Sequence, residues 1–199
     1  MGIYKSTIKA TSFLYLEMKK ASELKLKGLS NQEIMEKIKE ENYFLLGSDN
    51  RKRVIASEVI KRMDYLNQDL LEKLVNRHTS MGKIIVLYAI MKKDRLFSEF
   101  MQEVFRDKLL ISENQITAKD FNLFFQRKRE QDADLERWAD ETYKKLTQVY
   151  KRILTETGLA KRINKSIEIQ SAIIDFELEE SIKALGDEEY LKILQGVRE

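Results

Sequence analysis

Leu26-Lys27-Gly28-Leu29-Ser30-Asn31-Gln32-Glu33-Ile34 opens the stretch that decides the fold, and Arg51 to Leu66, RKRVIASEVIKRMDYL, closes it. Gly28 lacks a Cβ and accepts the left-handed conformation that ends a helix. Ser30 followed three residues later by Glu33 is the pattern of a capping box, so the spacing predicts a new helix from Asn31. Ile34, Met35 and Ile38 give it one apolar side. Gly47-Ser48-Asp49-Asn50 then breaks the chain, and Ser48 or Asp49 can cap a second helix.

At about 100° per residue, Ile55, Ala56, Val59, Ile60, Met63 and Leu66 fill one arc of that second helix. Arg51, Glu58, Lys61, Arg62 and Tyr65 fall opposite, with Arg53 near the edge. Its first turn carries Arg51-Lys52-Arg53 beside the positive end of the helix dipole. A helix, a break and a basic-nosed amphipathic helix is the layout of a helix-turn-helix reader, whose second helix enters the major groove. The departure from the standard motif is the connection, roughly eight to ten residues including Tyr43 to Leu46, where the motif uses 3–4. The same pattern also fits a surface helix with a solvated basic edge.

The chain has 199 residues, 43% hydrophobic and 35% charged, with neither proline nor cysteine. The charged fraction exceeds the usual quarter or so and points to long helices with charged outer faces. Without cysteine there are no disulfides, thiolate metal sites or cysteine nucleophiles. The net charge of +3 is uneven. Residues 1–66 hold 13 Lys/Arg against 9 Asp/Glu, residues 67–167 hold 20 against 15, and residues 168–199 hold 3 against 9. An acidic tail faces away from a polyanion or meets a basic partner. The N-terminus lacks the apolar core of a secretory signal, and Ile84 to Met91, the longest apolar run, is far short of the ~20 residues that span a bilayer. A cytoplasmic location, with no membrane partner, is the expectation that fits these features.

The pattern predicts an all-α, mainly helical protein: a helix-turn-helix-like domain over residues 1–67, then a helical domain with an acidic tail over 68–199. A first helix is expected from Ser12 to Lys27, with Phe13, Leu14, Met18, Ala21 and Leu24 inward and Glu17 among them, in need of a cationic partner. Asn67 caps a short helix. The helix around Ile84 to Met91 is apolar nearly all round and is expected at the centre of the second domain. Asp94 caps a helix with Phe97, Phe100, Met101, Val104 and Phe105 inward. Thr117 and Asp120 begin the helix of Phe121, Phe124 and Phe125. It ends in Arg127-Lys128-Arg129, either cations set against the dipole or a secondary patch for phosphate. One long helix is expected from about Ala133 to Thr157, stopped by Gly158. A short β-hairpin is expected near 166–174, then helices from Asp175 and Asp187.

No catalytic constellation is evident. His78 is the only histidine, and Gly82-Lys83 lacks the upstream glycine of a phosphate loop. No cofactor, metal or small-molecule substrate is indicated, and an enzyme is not expected. The candidate nucleic-acid contacts are Ser48, Asn50, Arg51, Lys52, Arg53, Lys61 and Arg62.

The order of features resembles the BrxA family, a component of BREX phage-exclusion systems of bacteria and archaea. The likeness rests on Leu26 to Ser30 with Glu33-Ile34, on Glu41-Asn42, and on the helix from Lys52-Arg53 to Arg62 with Leu66 after it. It continues through Trp138 with Glu141-Thr142, Lys145-Leu146, and Leu154, Glu156, Gly158 and Leu159. The acidic tail with Gly186 and Tyr190-Leu191 also fits, so the likeness runs from about Ile8 to Ile193. Family members often carry prolines between Gly158 and Asp175, and here there are none. The resemblance implies a small, mainly helical, soluble protein with a helix-turn-helix-like part that binds double-stranded DNA. It also implies partners within a defence apparatus: a methyltransferase, a phosphatase-like protein and ATPases. Two other readings fit the residues, a protein-interaction adaptor that docks defence components without nucleic acid, and an RNA-binding helical protein.

Overall fold

The computed structural model describes residues 4–198 and is mainly α-helical, with one small antiparallel sheet. The chain divides into two compact units: Phe13–Lys93 forms one, and the residues before it together with those from Asp94 onward form the other.

The Phe13–Lys93 unit holds α1 (Tyr15–Leu26), α2 (Asn31–Glu40), α3 (Asp49–Met63), α4 (Gln68–Asn76) and α5 (Thr79–Lys93). The first helix starts at Tyr15 rather than Ser12, because Leu14 takes a left-handed φ of 56° that no α-helix continues through. Gly28, at φ +92°, follows the Lys27 cap that ends α1, and the Ser30–Glu33 capping box forms in full. Ser48 and Asn67 accept from the backbone amides of Arg51 and Leu70 and so cap α3 and α4. Helix α5 packs on α1, α3 and α4, so the expectation that it centres a second domain is corrected. Its all-round apolar surface is explained equally well by these neighbours: Ile84 to Met91 are all buried. The boundary expected after residue 67 lies between α3 and α4, inside this unit. Glu17 is only half-buried, so water remains available to it.

The other unit begins with a 3-10 turn, Thr7–Lys9, and continues through α6 (Arg95–Phe100), a π-helical segment Met101–Arg106 and α7 (Asp107–Leu110). Then come β1 (Gln115–Ile116), α8 (Ala118–Gln131), α9 (Ala133–Glu136), α10 (Asp140–Thr157), β2 (Ala160–Ile163), β3 (Ser166–Ile169), α11 (Phe176–Lys183) and α12 (Glu188–Gln195). The expected single helix from Ala133 to Thr157 is broken around Trp138, where α9 ends and the Tyr143 hydroxyl donates to the Leu135 carbonyl. The core is aromatic. Phe97 meets Tyr150 at 4.9 Å and Phe100 stacks on Phe121 at 4.9 Å. Offset and edge contacts at such distances suit ring quadrupoles.

The hairpin lies at 160–169, earlier in the chain than the expected 166–174. It turns at Asn164, whose φ of 53° suits a tight turn between strands. Strand β3 is central, in the order β1-β3-β2, with Ile167 and Ile169 facing the core.

Candidate nucleic-acid interface

Helix α3 is held by α1, α2 and α5, so more than one side of it is covered. Ile55, Ala56, Val59, Ile60 and Met63 are buried as their spacing predicts. Glu58 and Arg62, expected on the solvent side, are buried too, and Arg62 is 1% exposed. The Arg62 Nε donates to Glu58 Oε1 at 2.8 Å and its Nη1 to the Phe13 carbonyl at 2.9 Å. The other Glu58 oxygen accepts from the Lys93 ammonium at 3.0 Å. Arg62 is therefore a core residue, and its place among the DNA contacts is corrected. Burying a guanidinium is tolerable only with partners of this quality.

At 100° per residue, the strip left uncovered on α3 carries Asn50, Arg53, Val54, Ser57 and Lys61, and just past the helix end it continues through exposed Asp64, whose carboxylate accepts from the Asn31 side-chain amide, and Tyr65. Arg51 lies outside that strip but is exposed because it sits at the helix start, beyond the covering helices. Three cations here have no carboxylate within ion-pair distance among the described residues: Arg51, Arg53 and Lys61. Arg53 Nη2 donates to the Asn50 side-chain oxygen at 3.2 Å, which holds both polar tips at the head of the helix. Lys52 is different. Its ammonium pairs with Asp49 at 2.9 Å and its side chain is largely covered. That hydrogen bond, with the Lys52 and Lys39 charges, holds the Asp49 carboxyl below the usual aspartate range. Lys39, at the end of α2, thus adds to the field at the α3 start, and sequence reading had not assigned it there.

The connection between α2 and α3, residues 41–48, is ordered by its own side chains. The Asn42 side-chain oxygen accepts from the Leu46 amide at 2.8 Å, its carbonyl accepts from the Leu45 amide at 2.7 Å, and Phe44 is buried. A hydrophobic anchor and an Asx-type turn do the work of a short turn over more residues.

In the other unit the Arg127-Lys128-Arg129 run is split three ways. Arg127 is exposed. Lys128 is buried, its ammonium donating to Glu99 at 2.7 Å and to Glu103. Its place in a secondary phosphate patch is corrected: it is held by a part-buried ion-pair network with Glu99 and Glu103 instead. Burial would raise the Glu99 carboxyl, but hydrogen bonds from Lys128, Arg95 and Tyr4 outweigh it and hold that group below the usual glutamate range. Burial, then the bond to Glu99, pushes the Tyr4 phenol up to about 12. Arg129 pairs with Asp140 at 3.1 Å and lies over the Tyr143 ring.

Among the described residues no group of three or more His, Asp or Glu is placed to hold a metal ion, and no helix is long and apolar enough to cross a membrane. What the geometry defines is a mainly helical protein whose clearest candidate site is an uncovered cationic helix surface rather than a catalytic pocket. The family model for BrxA matches residues 2–186. The chain is 44% identical over 194 residues to the BREX protein BrxA of Bacillus cereus (strain H3081.97), covering 98% of this chain and 97% of that one. It is 22% identical to the BREX protein BrxA of Paramagnetospirillum magneticum (strain AMB-1), covering 96% of each. The chain belongs to the BrxA family. Its fold matches the crystal structure of an uncharacterized protein from Magnetospirillum magneticum with a TM-score of 0.84 at 21% identity, over 97% of this chain and 98% of the other.

Proposed function

We propose that this protein is a non-catalytic, double-stranded DNA-binding accessory factor of a BREX-type phage-defence system, acting in the cytoplasm beside the system's methyltransferase, phosphatase-like protein and ATPases. Membership in the BrxA family and the name of its 44% identical relative support the placement in a BREX system. The observation that carries the DNA reading is the set of uncompensated cations on α3. Arg51, Arg53 and Lys61 neutralise phosphates, while Ser48 and Asn50 at the helix entry hydrogen-bond the backbone. Arg53, Asn50 and Ser57 share the uncovered strip with Val54 and supply a modest capacity to read base edges. The Phe13–Lys93 unit carries 16 Lys/Arg against 11 Asp/Glu, a field that favours approach to a polyanion.

The test is a salt titration of duplex binding with Arg51→Glu/Arg53→Glu/Lys61→Glu beside the unaltered protein. Three lost phosphate contacts lower the slope of log affinity against log salt by about 2.7. Affinity falls alike on unrelated sequences. An unchanged slope and affinity would remove α3 from the interface. A BREX component that is captured after nuclease treatment, by a chain that shifts no duplex, would select the adaptor reading instead.

A further inference from the structure

Helix α10 and the hairpin after it carry an excess of positive charge. Residues 140–169 hold seven Lys/Arg and four acids, and two of those acids, Asp140 and Glu141, lie at the far start of α10. Gly158, at φ +91°, turns the chain from the end of α10 straight into β2, and β2 packs on α10. The hairpin tip is tied to the helix face: the Lys151 ammonium donates to the Lys165 carbonyl at 2.8 Å. Cations from two elements are thereby brought together. Arg152 on α10 and Lys161, Arg162 and Lys165 on the hairpin are all exposed. None has a carboxylate within ion-pair distance among the described residues. Glu168 faces Lys161 across the β2–β3 ladder without bonding to it, and Glu156 lies a turn beyond Arg152.

The crowding has a cost in the unliganded protein. Partial burial, and then the Arg162 charge, lower the affinity of Lys151 for its proton. An anion seated between helix and hairpin relieves that repulsion. Exposed Lys144 and Gln148 extend the same face along α10.

The order of elements matters as much as the charge. Strand β1, helices α8 and α10, and strands β2 and β3 follow one another, and the sheet runs β1-β3-β2. This is the connectivity of a winged-helix module, in which one helix lies in a groove and the hairpin reaches along the adjacent backbone. Strand β2 is an edge strand with Lys161 and Arg162 on opposite faces, so both can approach phosphates on either side of a ridge. We infer that the α10 face and the β2–β3 hairpin form a second contact surface for the sugar-phosphate backbone of duplex DNA, as helix and wing. It shares its ligand with the α3 reading but none of its residues.

The experiment uses the full-length protein and a duplex oligonucleotide of arbitrary sequence, with affinity measured across a salt series. Lys161→Gln/Arg162→Gln/Lys165→Gln is compared with the unaltered chain and with the α3 charge-reversal variant. The substituted side chains are exposed, and the Lys165 carbonyl that anchors Lys151 is retained, so far-ultraviolet dichroism should be unchanged. The slope of log affinity against log salt should fall by about 2.7 for three lost phosphate contacts. Arg152→Gln, on the helix rather than the hairpin, should lower it by about 0.9 more. Hairpin and helix variants that keep the full slope overturn the inference and leave α3 as the interface. Loss in the hairpin variant with none in the α3 variant sustains the inference and sinks the α3 reading. An unaltered chain that binds no duplex overturns both, and loss confined to a structured RNA probe assigns the surface to another ligand and overturns it as stated.

Discussion

Replacing Arg62 by methionine separates fold from interface on α3. Arg62 is 1% exposed, and its charge-assisted hydrogen bonds include those to Glu58 at 2.8 Å and to the Phe13 carbonyl at 2.9 Å. Methionine keeps most of the volume but leaves the carbonyl without this donor and leaves Glu58, 7% exposed, with Lys93 as its remaining cation. Removing one partner of a buried ion pair costs about 3–5 kcal/mol. Lys93 at 3.0 Å offsets part of that, which puts the loss near the lower end, about 3 kcal/mol. For a chain of this length each kcal/mol lowers Tm by roughly 2–4 °C, so a drop of about 6–12 °C is expected. Urea denaturation followed by dichroism should show a lower midpoint with an unchanged slope. Below its transition the variant should bind duplex DNA as the unaltered protein does. A loss under about 1 kcal/mol would refute the reasoning, because a buried carboxylate and carbonyl cannot lose this donor so cheaply. DNA affinity reduced at full stability would refute it from the other side, returning Arg62 to the interface.

Other outcomes follow from the same geometry. Lys128→Met, which removes a buried ammonium from Glu99 and Glu103, should cost about 1–2 kcal/mol in a melt, since Glu103 is exposed and Glu99 keeps Arg95, and should leave DNA affinity intact. Gly158→Ala should cost roughly 1 kcal/mol, since φ +91° is poorly open to a side chain, although a Cβ would meet no atom there. Folding lowers the carboxyl pKa of Glu99 and Asp120, so each contributes stability above its ordinary value, 4.5 for the glutamate and 3.8 for the aspartate, and loses it as pH falls through the lowered value. Stability measured by denaturant midpoint should therefore decline on acidification below about 4.5, and more gently in Glu99→Gln.

Much of the fold was legible because its start signals are local. Ser30 with Glu33 and Thr117 with Asp120 form capping boxes, and Ser48, Asn67, Asp94 and Asp175 cap the helices that follow them. Each is a contest between a side chain and a few neighbouring amides, settled within four residues of sequence. The misplaced features depend on distant chain. Glu58 and Arg62 sit one helical turn apart on what the wheel of α3 alone shows as its polar side. Only the Phe13 carbonyl and Lys93 reveal that this side is covered. An i, i+4 acid–base pair next to an apolar arc reads equally as surface charge or as a buried bridge. Lys128 was hidden in the same way, inside a run of three cations whose outer members are not buried. Ile173 and Ile174 follow Ile167 and Ile169 in the sequence and draw the expected hairpin past its true end. Ile173 is 87% exposed, and the strand it would have joined ends at Ile169.

Beside the surface ion pairs such as Lys52–Asp49, two further populations of cations stand at opposite extremes, and sequence composition cannot tell them apart. Arg62 and Lys128 are desolvated and fully engaged, and their loss is a loss of fold. Arg51, Arg53, Lys61 and the hairpin set remain hydrated and uncompensated, so they contribute little to stability: exposed substitutions of this kind usually fall within about 0.5 kcal/mol. Retaining unpaired charge on one helix strip costs self-repulsion that a neighbouring carboxylate would remove. The acids closest to these cations do not pair with them: Glu168 faces Lys161 across the β2–β3 ladder without an ion pair. Unpaired charge of this kind is what an approaching polyanion would compensate under the proposed reading. It also makes the binding experiments interpretable, because charge can be removed there without moving the folding equilibrium.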